Sequence, residues 1–251
     1  MTSGLSRRVF LRATTSLAAI THPVLTSAET DVEKGRLHAR PGGSPSGAMP
    51  GLQKLGLGDV RDGVLYVPEG EPARPMPLIM MLHGAGGAAH QVLPMLQSAA
   101  AERQFLLLAP DSRGRESWDV IRGDYGPDVA FLDRALATVF ERCLVDHRRI
   151  AIGGFSDGAS YALSLGLMNG DLFKDILAFS PGFAVPVRTE GKPSIFISHG
   201  DKDEVLPVDR CGRRLARELS GAGYNVDYRE FEGGHVVPPV MVSAAVSRFL
   251  S

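Results

Sequence analysis

The sequence predicts an α/β protein whose central sheet is mostly parallel and has helices on both faces. Short apolar runs alternate with helical patterns from about residue 61 to the end of the chain. Most of these runs are apolar at successive positions, which is typical of strands buried on both faces. Because 44% of the 251 residues are hydrophobic, the chain has enough apolar side chains to form a sizeable core.

The alternation predicts the following elements in order along the chain. A strand at residues 64–67 and another at 78–82 come first, and a helix at 88–103 follows the second. A strand at 105–108 precedes a helix at 128–145, and a strand at 150–153 leads directly into a helix at 158–168. The remaining elements are strands at 176–179 and 195–198, a helix at 208–222, a strand at 226–231 and a helix at 239–250. No insertion is long enough to form a large lid.

The first 28 residues are predicted to be an export signal that is not part of the fold. The run Ser6-Arg7-Arg8-Val9-Phe10-Leu11-Arg12 precedes a mildly apolar stretch, and small residues at 26–28 supply a cleavage site. This segment resembles a twin-arginine signal, which implies a periplasmic or secreted protein with no membrane anchor after cleavage. The alternative is an amphipathic helix that opens the domain. Residues 29–59 are rich in Gly and Pro and are predicted to be a flexible lead-in to an ordered domain at 60–251.

Composition and charge argue against several classes of function. The 27 basic and 28 acidic residues give a formal net charge of -1, which provides no positive field to hold a nucleic acid. No run of about 18 apolar residues is present, so a membrane-spanning helix is not expected. Cys143 and Cys211 lie far from other metal ligands, and we expect them to be free, buried thiols that bind no metal. A disulfide between them is the alternative in an oxidising compartment. Nucleotide-binding and metalloprotease motifs are missing as well, so no cofactor is predicted.

Polar and glycine-rich sequences follow the predicted strands where each strand ends. In open α/β sheets the chemistry collects at the carboxyl ends of the strands, so these sequences are the candidates for a site. They are His83-Gly84-Ala85-Gly86-Gly87, Pro110-Asp111-Ser112-Arg113, Gly154-Phe155-Ser156-Asp157-Gly158, Ser180-Pro181-Gly182, His199-Gly200-Asp201-Lys202-Asp203 and Gly233-Gly234-His235.

One of these sequences predicts a nucleophile. Ser156 stands between Gly154 and Gly158, after a strand and before a helix. A sharp turn there exposes the serine oxygen, and glycines are needed because side chains would collide with neighbouring backbone. A serine hydroxyl is a weak nucleophile at neutral pH, so it needs a base and an acid that orients the base. The alternative is an ordinary glycine-rich turn.

His235 is predicted to be the base and Asp203 the acid. His235 lies on a turn between the last strand and the C-terminal helix. His83 and His199 directly end strands, and we expect them to hold turns through side-chain hydrogen bonds. Asp203 lies further past its strand than Asp201 does, so Asp203 is favoured and Asp201 is the alternative.

An oxyanion hole is predicted from the same sequences. Acyl transfer builds negative charge on a carbonyl oxygen, which preorganised backbone N–H groups stabilise. The residue after the nucleophile, Asp157, supplies one such group. The glycine-rich loop supplies the other, with Ala85 as the first choice and Gly86 as the second.

Four of these sequences, taken in chain order, resemble the α/β-hydrolases of the phospholipase/carboxylesterase group, which includes acyl-protein thioesterases. The resemblance implies the α/β-hydrolase fold, a triad of Ser156, His235 and Asp203, and oxyanion donors at Ala85 and Asp157. Acyl-protein thioesterases usually have Gln where this chain has Asp157, and that negative charge is expected to disfavour anionic substrates. The four sequences are His83-Gly84-Ala85-Gly86-Gly87, Gly154-Phe155-Ser156-Asp157-Gly158, His199-Gly200-x-x-Asp203-x-Val205-x-Pro207 and Gly234-His235.

The sequence therefore predicts an exported serine esterase that cleaves carboxylic esters or thioesters of small soluble substrates through an acyl-enzyme. The loop at 112–127 is expected to overhang the nucleophile, with Trp118 and Tyr125 lining a substrate pocket; packing of Trp118 onto the body is an equal alternative. Asp128 is predicted to be the N-cap of the next helix. The expected partner is a small-molecule ester, and the chain is expected to be a monomer or a homodimer. A serine peptidase and a non-catalytic binding protein on the same scaffold are the alternative functions.

Overall fold

The structure is a computed structural model that describes residues 35–70, 74–122 and 125–251. The predicted export signal at residues 1–28 lies outside these ranges and stays a prediction. None of the helices in the described ranges is both long and apolar enough to cross a membrane.

The described residues form one sheet of eight strands with helices packed on it. The strands are β1 (Gly51–Lys54), β2 (Gly63–Val67), β3 (Met76–Leu82), β4 (Leu106–Pro110), β5 (Val145–Phe155), β6 (Asp175–Phe179), β7 (Ser194–Gly200) and β8 (Val226–Phe231). The helices are α1 (Ala89–Arg103), α2 (Pro127–Arg142), α3 (Asp157–Met168), α4 (Gly212–Gly221) and α5 (Pro239–Phe249), and a single 3-10 turn spans Asp119–Arg122.

The strand order in the sheet is β1-β2-β4-β3-β5-β6-β7-β8. The pairs β1–β2 and β2–β4 are antiparallel, and every pair from β4 to β8 is parallel. The predicted α/β class with a mostly parallel sheet is therefore confirmed. Parallel pairing brings the carboxyl ends of β3 to β8 to one edge, where the predicted site residues follow the strands.

The sheet is buried on both faces, as the continuous apolar runs predicted. Alternate residues of β3 belong to different hydrophobic clusters: Leu78 and Met80 pack with the buried faces of α2, α3 and α4, while Ile79 and Met81 pack with α1 and α5. This alternation follows from the period of two in a strand. Helices therefore cover both faces, in agreement with the prediction.

Ordered structure begins earlier in the chain than predicted. The lead-in predicted at 29–59 contains β1, and Leu37 and Leu55 are buried in the core. The side-chain amide of Asn169 binds the backbone on both sides of Arg36. It accepts from the N–H of Leu37 and donates to the carbonyl of Gly35. The expectation of a flexible segment up to residue 59 is therefore wrong for residues 35–59.

Two element boundaries also differ from the prediction. The helix expected to run to residue 145 ends at Arg142, because the chain enters β5 at Val145, which pairs with Met76. The helix expected from residue 208 begins at Gly212. Cys143 and Cys211 lie next to these two helix ends, and both are free, buried thiols.

Candidate active site

Ser156 lies on a strained turn between β5 and α3. Its backbone has φ 59° and ψ −121°, a conformation that residues with a side chain rarely adopt. The turn is held by the Ser156 N–H, which donates to the carbonyl of Phe179 at 3.0 Å. Ser156 is buried, with only 8% of the residue exposed.

The two glycines that flank this serine are required by close backbone approach. A Cβ atom on Gly154 would lie 2.2 Å from the carbonyl oxygen of Gly158. A Cβ atom on Gly158 would lie 2.4 Å from the carbonyl oxygen of Leu82, at the end of β3. The sequence argument that side chains there would collide with backbone is confirmed by these distances.

The structure brings Ser156, His235 and Asp203 together. His235 Nε2 lies 2.8 Å from Ser156 Oγ, and His235 Nδ1 lies 2.7 Å from Asp203 Oδ2. The carboxylate accepts from Nδ1–H, so Nε2 is left to accept the hydroxyl proton. The imidazole side chain is 16% exposed, whereas the Asp203 side chain is fully buried.

Asp203 is held by its own loop. Its Oδ1 accepts hydrogen bonds from the backbone N–H groups of Val205 and Leu206, at 3.0 and 2.8 Å. Burial alone raises the pKa of Asp203, but the Leu206 N–H and the His235 ring outweigh burial and hold that pKa below its usual value. The carboxyl is therefore ionised at neutral pH. Asp201, the alternative acid, instead accepts from the N–H of Gly233.

The backbone N–H groups of Ala85 and Asp157, which are the predicted oxyanion donors, are unoccupied. The N–H of Gly86, which is the alternative to Ala85, is already used. Among the described residues, no hydrogen bond uses the backbone N–H of Ala85 or of Asp157. The N–H of Gly86 donates to the carbonyl of Glu116 at 2.6 Å. A Cβ atom on Gly84 would lie 3.3 Å from Ser156 Cβ, which shows how closely the glycine-rich loop approaches the serine.

His83 braces the glycine-rich loop, as the sequence predicted for a structural histidine. It is buried, its Nδ1 lies 2.8 Å from the carbonyl of Gly84, and its Nε2 accepts from the N–H of Ser112 at 3.0 Å. Burial lowers the pKa of His83, so the ring is neutral with its proton on Nδ1. Arg61 adds a second brace by donating to the carbonyl of Gly87. The sequence analysis missed Arg61, because nothing in its local sequence relates it to this loop.

The structure favours the packing alternative for Trp118. This side chain is fully buried, its indole N–H donates to the carbonyl of His83, and its ring stacks on Tyr161 at 5.3 Å. The expectation that Trp118 lines a substrate pocket is therefore corrected. The loop still closes over the site region, because Ser117 Oγ donates to Asp157 Oδ2 at 2.6 Å.

Tyr125 lines a cavity of about 400 Å³ beside this loop, together with Ser117 and Asp119. Its hydroxyl donates to the carbonyl of Val185 at 2.8 Å, and burial raises the pKa of Tyr125 to about 12. The phenol therefore stays protonated. Contact of Tyr125 with substrate stays a prediction.

The sequence analysis expected Asp128 to be the N-cap of α2, and this expectation is wrong. The N-cap is Gly126, and Asp119 Oδ2 accepts from the N–H groups of Gly126 and Asp128 at 2.8 and 2.9 Å. The buried Asp128 carboxylate instead binds the N–H groups of Arg113 and Asp119. Both carboxylates shape the loop, and burial raises the pKa of Asp128 to about 6.

Within the described ranges, no group of three or more His, Cys, Asp and Glu side chains is arranged to hold a metal ion. The site itself offers a hydroxyl, an imidazole and a carboxylate in line, next to the backbone N–H groups of Ala85 and Asp157.

Comparisons with known proteins agree with the fold. Residues 130–251 match the phospholipase/carboxylesterase family. Feruloyl esterase C of Emericella nidulans is 24% identical over 221 residues, which cover 74% of this chain and 80% of that protein. The chain has the α/β-hydrolase fold, and the relatives that it resembles are named as esterases.

A further relative and a solved structure match different fractions of this chain. Acyl-protein thioesterase 1 of Gibberella zeae is 30% identical over 101 residues, 36% of this chain and 43% of that protein. The crystal structure of esterase PE8 superposes with a TM-score of 0.61 at 20% identity, and the match covers 75% of this chain and 97% of that one. The likeness to esterase PE8 confirms the α/β-hydrolase fold.

Proposed function

We propose that this α/β-hydrolase cleaves carboxylic esters of small molecules through an acyl-enzyme on Ser156. One observation carries the proposal. The hydroxyl of Ser156, the imidazole of His235 and the carboxylate of Asp203 form a continuous line with distances of 2.8 and 2.7 Å. This arrangement meets the geometric requirement for a nucleophile, its base and the group that orients the base.

In the first half of the reaction, Ser156 Oγ attacks the acyl carbon and its proton moves to His235 Nε2. Asp203 accepts from Nδ1–H throughout, so the ring keeps the correct tautomer and its positive charge is stabilised. The negative charge on the former carbonyl oxygen is stabilised by the N–H groups of Ala85 and Asp157. The proton on Nε2 then passes to the leaving alcohol as the C–O bond breaks.

In the second half, water takes the part of the alcohol. It gives a proton to His235 Nε2 as its oxygen attacks the acyl carbon, and the bond to Ser156 Oγ breaks as that proton returns to the serine. The products are a carboxylic acid and regenerated enzyme. Because the same groups act in both halves, loss of Ser156 removes both.

The substrate is proposed to be a small neutral ester. The Asp157 carboxylate next to the nucleophile is held by Ser117 and disfavours an anionic group in its vicinity. The relative called feruloyl esterase C makes feruloyl esters the first class to test. A thioester belongs in the same panel, because another relative is called acyl-protein thioesterase 1.

The experiment compares the purified full chain with Ser156→Ala and with Ser243→Ala, which alters an exposed serine on α5. Turnover is measured on p-nitrophenyl acetate, p-nitrophenyl butyrate, methyl ferulate and a short acyl thioester, together with labelling by a fluorophosphonate. We expect the wild type and Ser243→Ala to be labelled and active, and Ser156→Ala to be neither. Labelling and turnover that persist in Ser156→Ala would refute the proposal.

We also propose that the chain is exported by the twin-arginine route, on the basis of Arg7 and Arg8 in the leader. In a bacterium with that translocase, changing both arginines to lysine is expected to leave the esterase in the cytoplasm, while the unchanged chain reaches the periplasm. Equal periplasmic recovery of both chains would contradict this route.

A further inference from the structure

A second histidine touches the acid of the proposed triad. His199 lies near the end of β7 and is fully buried. Its Nε2 lies 2.7 Å from the carbonyl oxygen of Leu206 and 3.3 Å from Asp203 Oδ2. Its Nδ1 is buried and has no hydrogen-bond partner among the described residues.

These contacts define the protonation state of the ring. Nε2 faces two oxygen atoms that only accept, so it carries the proton. It donates to the Leu206 carbonyl and lies 3.3 Å from Asp203 Oδ2. A second proton on Nδ1 would be buried without an acceptor, which is costly. In agreement, burial lowers the pKa of His199. The ring is therefore neutral and presents a fixed N–H to the loop that carries Asp203.

The partners of the Asp203 carboxylate show what this N–H adds. Oδ1 is held by two backbone N–H groups of its own loop. Oδ2 faces His235 Nδ1 on one side and His199 Nε2 on the other. Among the described residues, the other group that contacts Oδ2 is His235, which is the ring that this oxygen has to orient.

The ring itself is held in place by packing. The first residue of α4 is Gly212, and a Cβ atom there would lie 2.8 Å from His199 Nδ1 and 2.9 Å from its Cβ and Cγ atoms. The start of α4 therefore packs closely against the edge of the imidazole that carries Nδ1. A ring that cannot turn keeps its donor aimed at the Leu206 carbonyl and Asp203 Oδ2.

We propose that His199 is a positioning residue for ester hydrolysis. Through its Nε2–H it ties the 203–206 loop to the end of β7 and holds Asp203 Oδ2 in line with His235 Nδ1. The inference rests on the proposed function, because His199 acts on the reaction only through Asp203.

The first test compares His199→Gln with His199→Asn in the full chain. The amide nitrogen of Gln reaches the position of Nε2, whereas that of Asn reaches only the position of Nδ1. We expect His199→Asn to lower kcat on p-nitrophenyl acetate about tenfold to a hundredfold with little change in KM, since misplacement of a reacting group affects the chemical step. His199→Gln is expected to recover most of that loss. Equal kcat values for the two variants would overturn the inference.

The second test asks whether His199 acts through Asp203. In an Asp203→Asn background, His199→Asn is expected to lower kcat by less than threefold, because the group it orients is already lost. The same fold-loss in both backgrounds would indicate a separate structural role and overturn the inference.

Far-UV circular dichroism and the fluorescence of the single tryptophan check that each variant is folded. If His199→Asn does not fold, His199→Phe, which keeps a ring but has no N–H donor, takes its place, and a kcat of His199→Phe equal to that of His199→Gln contradicts the proposal. Failure of the proposed function is distinguishable, because then Ser156→Ala retains the wild-type rate. Failure of this inference alone leaves Ser156→Ala inactive while the His199 variants keep the wild-type kcat.

Discussion

The indole N–H of Trp118 donates a 2.8 Å hydrogen bond to the carbonyl oxygen of His83, and the two rings lie 4.6 Å apart. This contact fixes the peptide that directly precedes the glycine-rich loop. A side chain from the loop after β4 therefore supports the backbone from which Ala85 is proposed to donate. Trp118 therefore supports the site through buried contacts and does not line an open pocket.

Replacing Trp118 by Phe is expected to lower the free energy of unfolding by about 1 to 3 kcal/mol, because a buried carbonyl loses its donor. The variant also loses part of its stacking on Tyr161. Urea denaturation followed by far-UV circular dichroism measures the change. Tyr224→Phe is the control, since the Tyr224 hydroxyl makes no hydrogen bond to another described residue; equal stabilities of the two variants would contradict the prediction.

Asp203→Asn is expected to lower kcat on the order of 10³- to 10⁴-fold, because an amide at this position favours the wrong tautomer of His235. Asp201→Asn is the matched control on the same loop. The Asn oxygen still accepts from the N–H of Gly233, so kcat is expected to stay within a few-fold of the wild type. Steady-state kinetics on p-nitrophenyl acetate decides between them, and a larger loss for Asp201→Asn would reverse the assignment of the acid.

Gly158→Ala is expected to destabilise the protein by about 2 to 4 kcal/mol, because the added methyl group meets backbone oxygen atoms of Leu82 and His83 at 2.4 and 2.5 Å. Backbone at this crossing of β3 and α3 cannot move without disturbing the sheet. Gly42→Ala is the control, since a Cβ atom there would meet nothing within 4 Å. Thermal unfolding of both variants tests the prediction, and a melting temperature of Gly158→Ala equal to that of Gly42→Ala would be incompatible with it.

Asp175→Asn is expected to stabilise the protein at pH 8 and not at pH 4. Asp175 begins β6, and burial raises its pKa from 3.8 to about 6, with Arg248 opposing the rise. A carboxyl whose folded pKa is raised contributes stability that is fully present below the unfolded pKa and is lost as pH rises through about 6. Removing the charge should therefore add about 1 to 2 kcal/mol at pH 8, allowing for partial solvent screening.

Denaturant unfolding of wild type and Asp175→Asn at the two pH values measures this difference. The exposed Glu102→Gln is the control, and it should change stability equally little at both. A gain for Asp175→Asn that is as large at pH 4 as at pH 8 would show that the effect does not arise from ionisation.

The centre of the sheet was predictable because its strands are continuous apolar runs, which indicate burial on both faces. β1 was not, since Gly51-Leu52-Gln53-Lys54 is a short edge strand that is held by backbone pairing with β2 and leaves Leu52 exposed. Such a strand has no apolar run to reveal it. The ordered segment before β1 was missed for a similar reason, because its contacts are made by side chains far away in the sequence, such as Asn169.

The residues of the site were predictable because parallel strands bring their carboxyl ends to one edge. The orientation of side chains in the loops, towards the core or towards the site, was not predictable. Nothing in the local sequence tells whether Trp118 faces a substrate or the His83 carbonyl, and nothing pairs Ser117 with Asp157. His199 was expected to hold a turn, which the Leu206 contact confirms, but its second contact with Asp203 depends on the path of the loop that joins them.

The two hydrogen bonds of Asn169 to the backbone of Gly35 and Leu37 limit how far the chain can be shortened from its N-terminal side. A peptidase that cuts upstream of Gly35 leaves both hydrogen bonds and the buried Leu37 in place, and the cut predicted after Ala28 satisfies this condition. Removal of residues through Leu37 would delete a buried leucine from the core and leave the buried side-chain amide of Asn169 without these two partners. Removal of the proposed leader is therefore compatible with these contacts only when the cut lies upstream of Gly35.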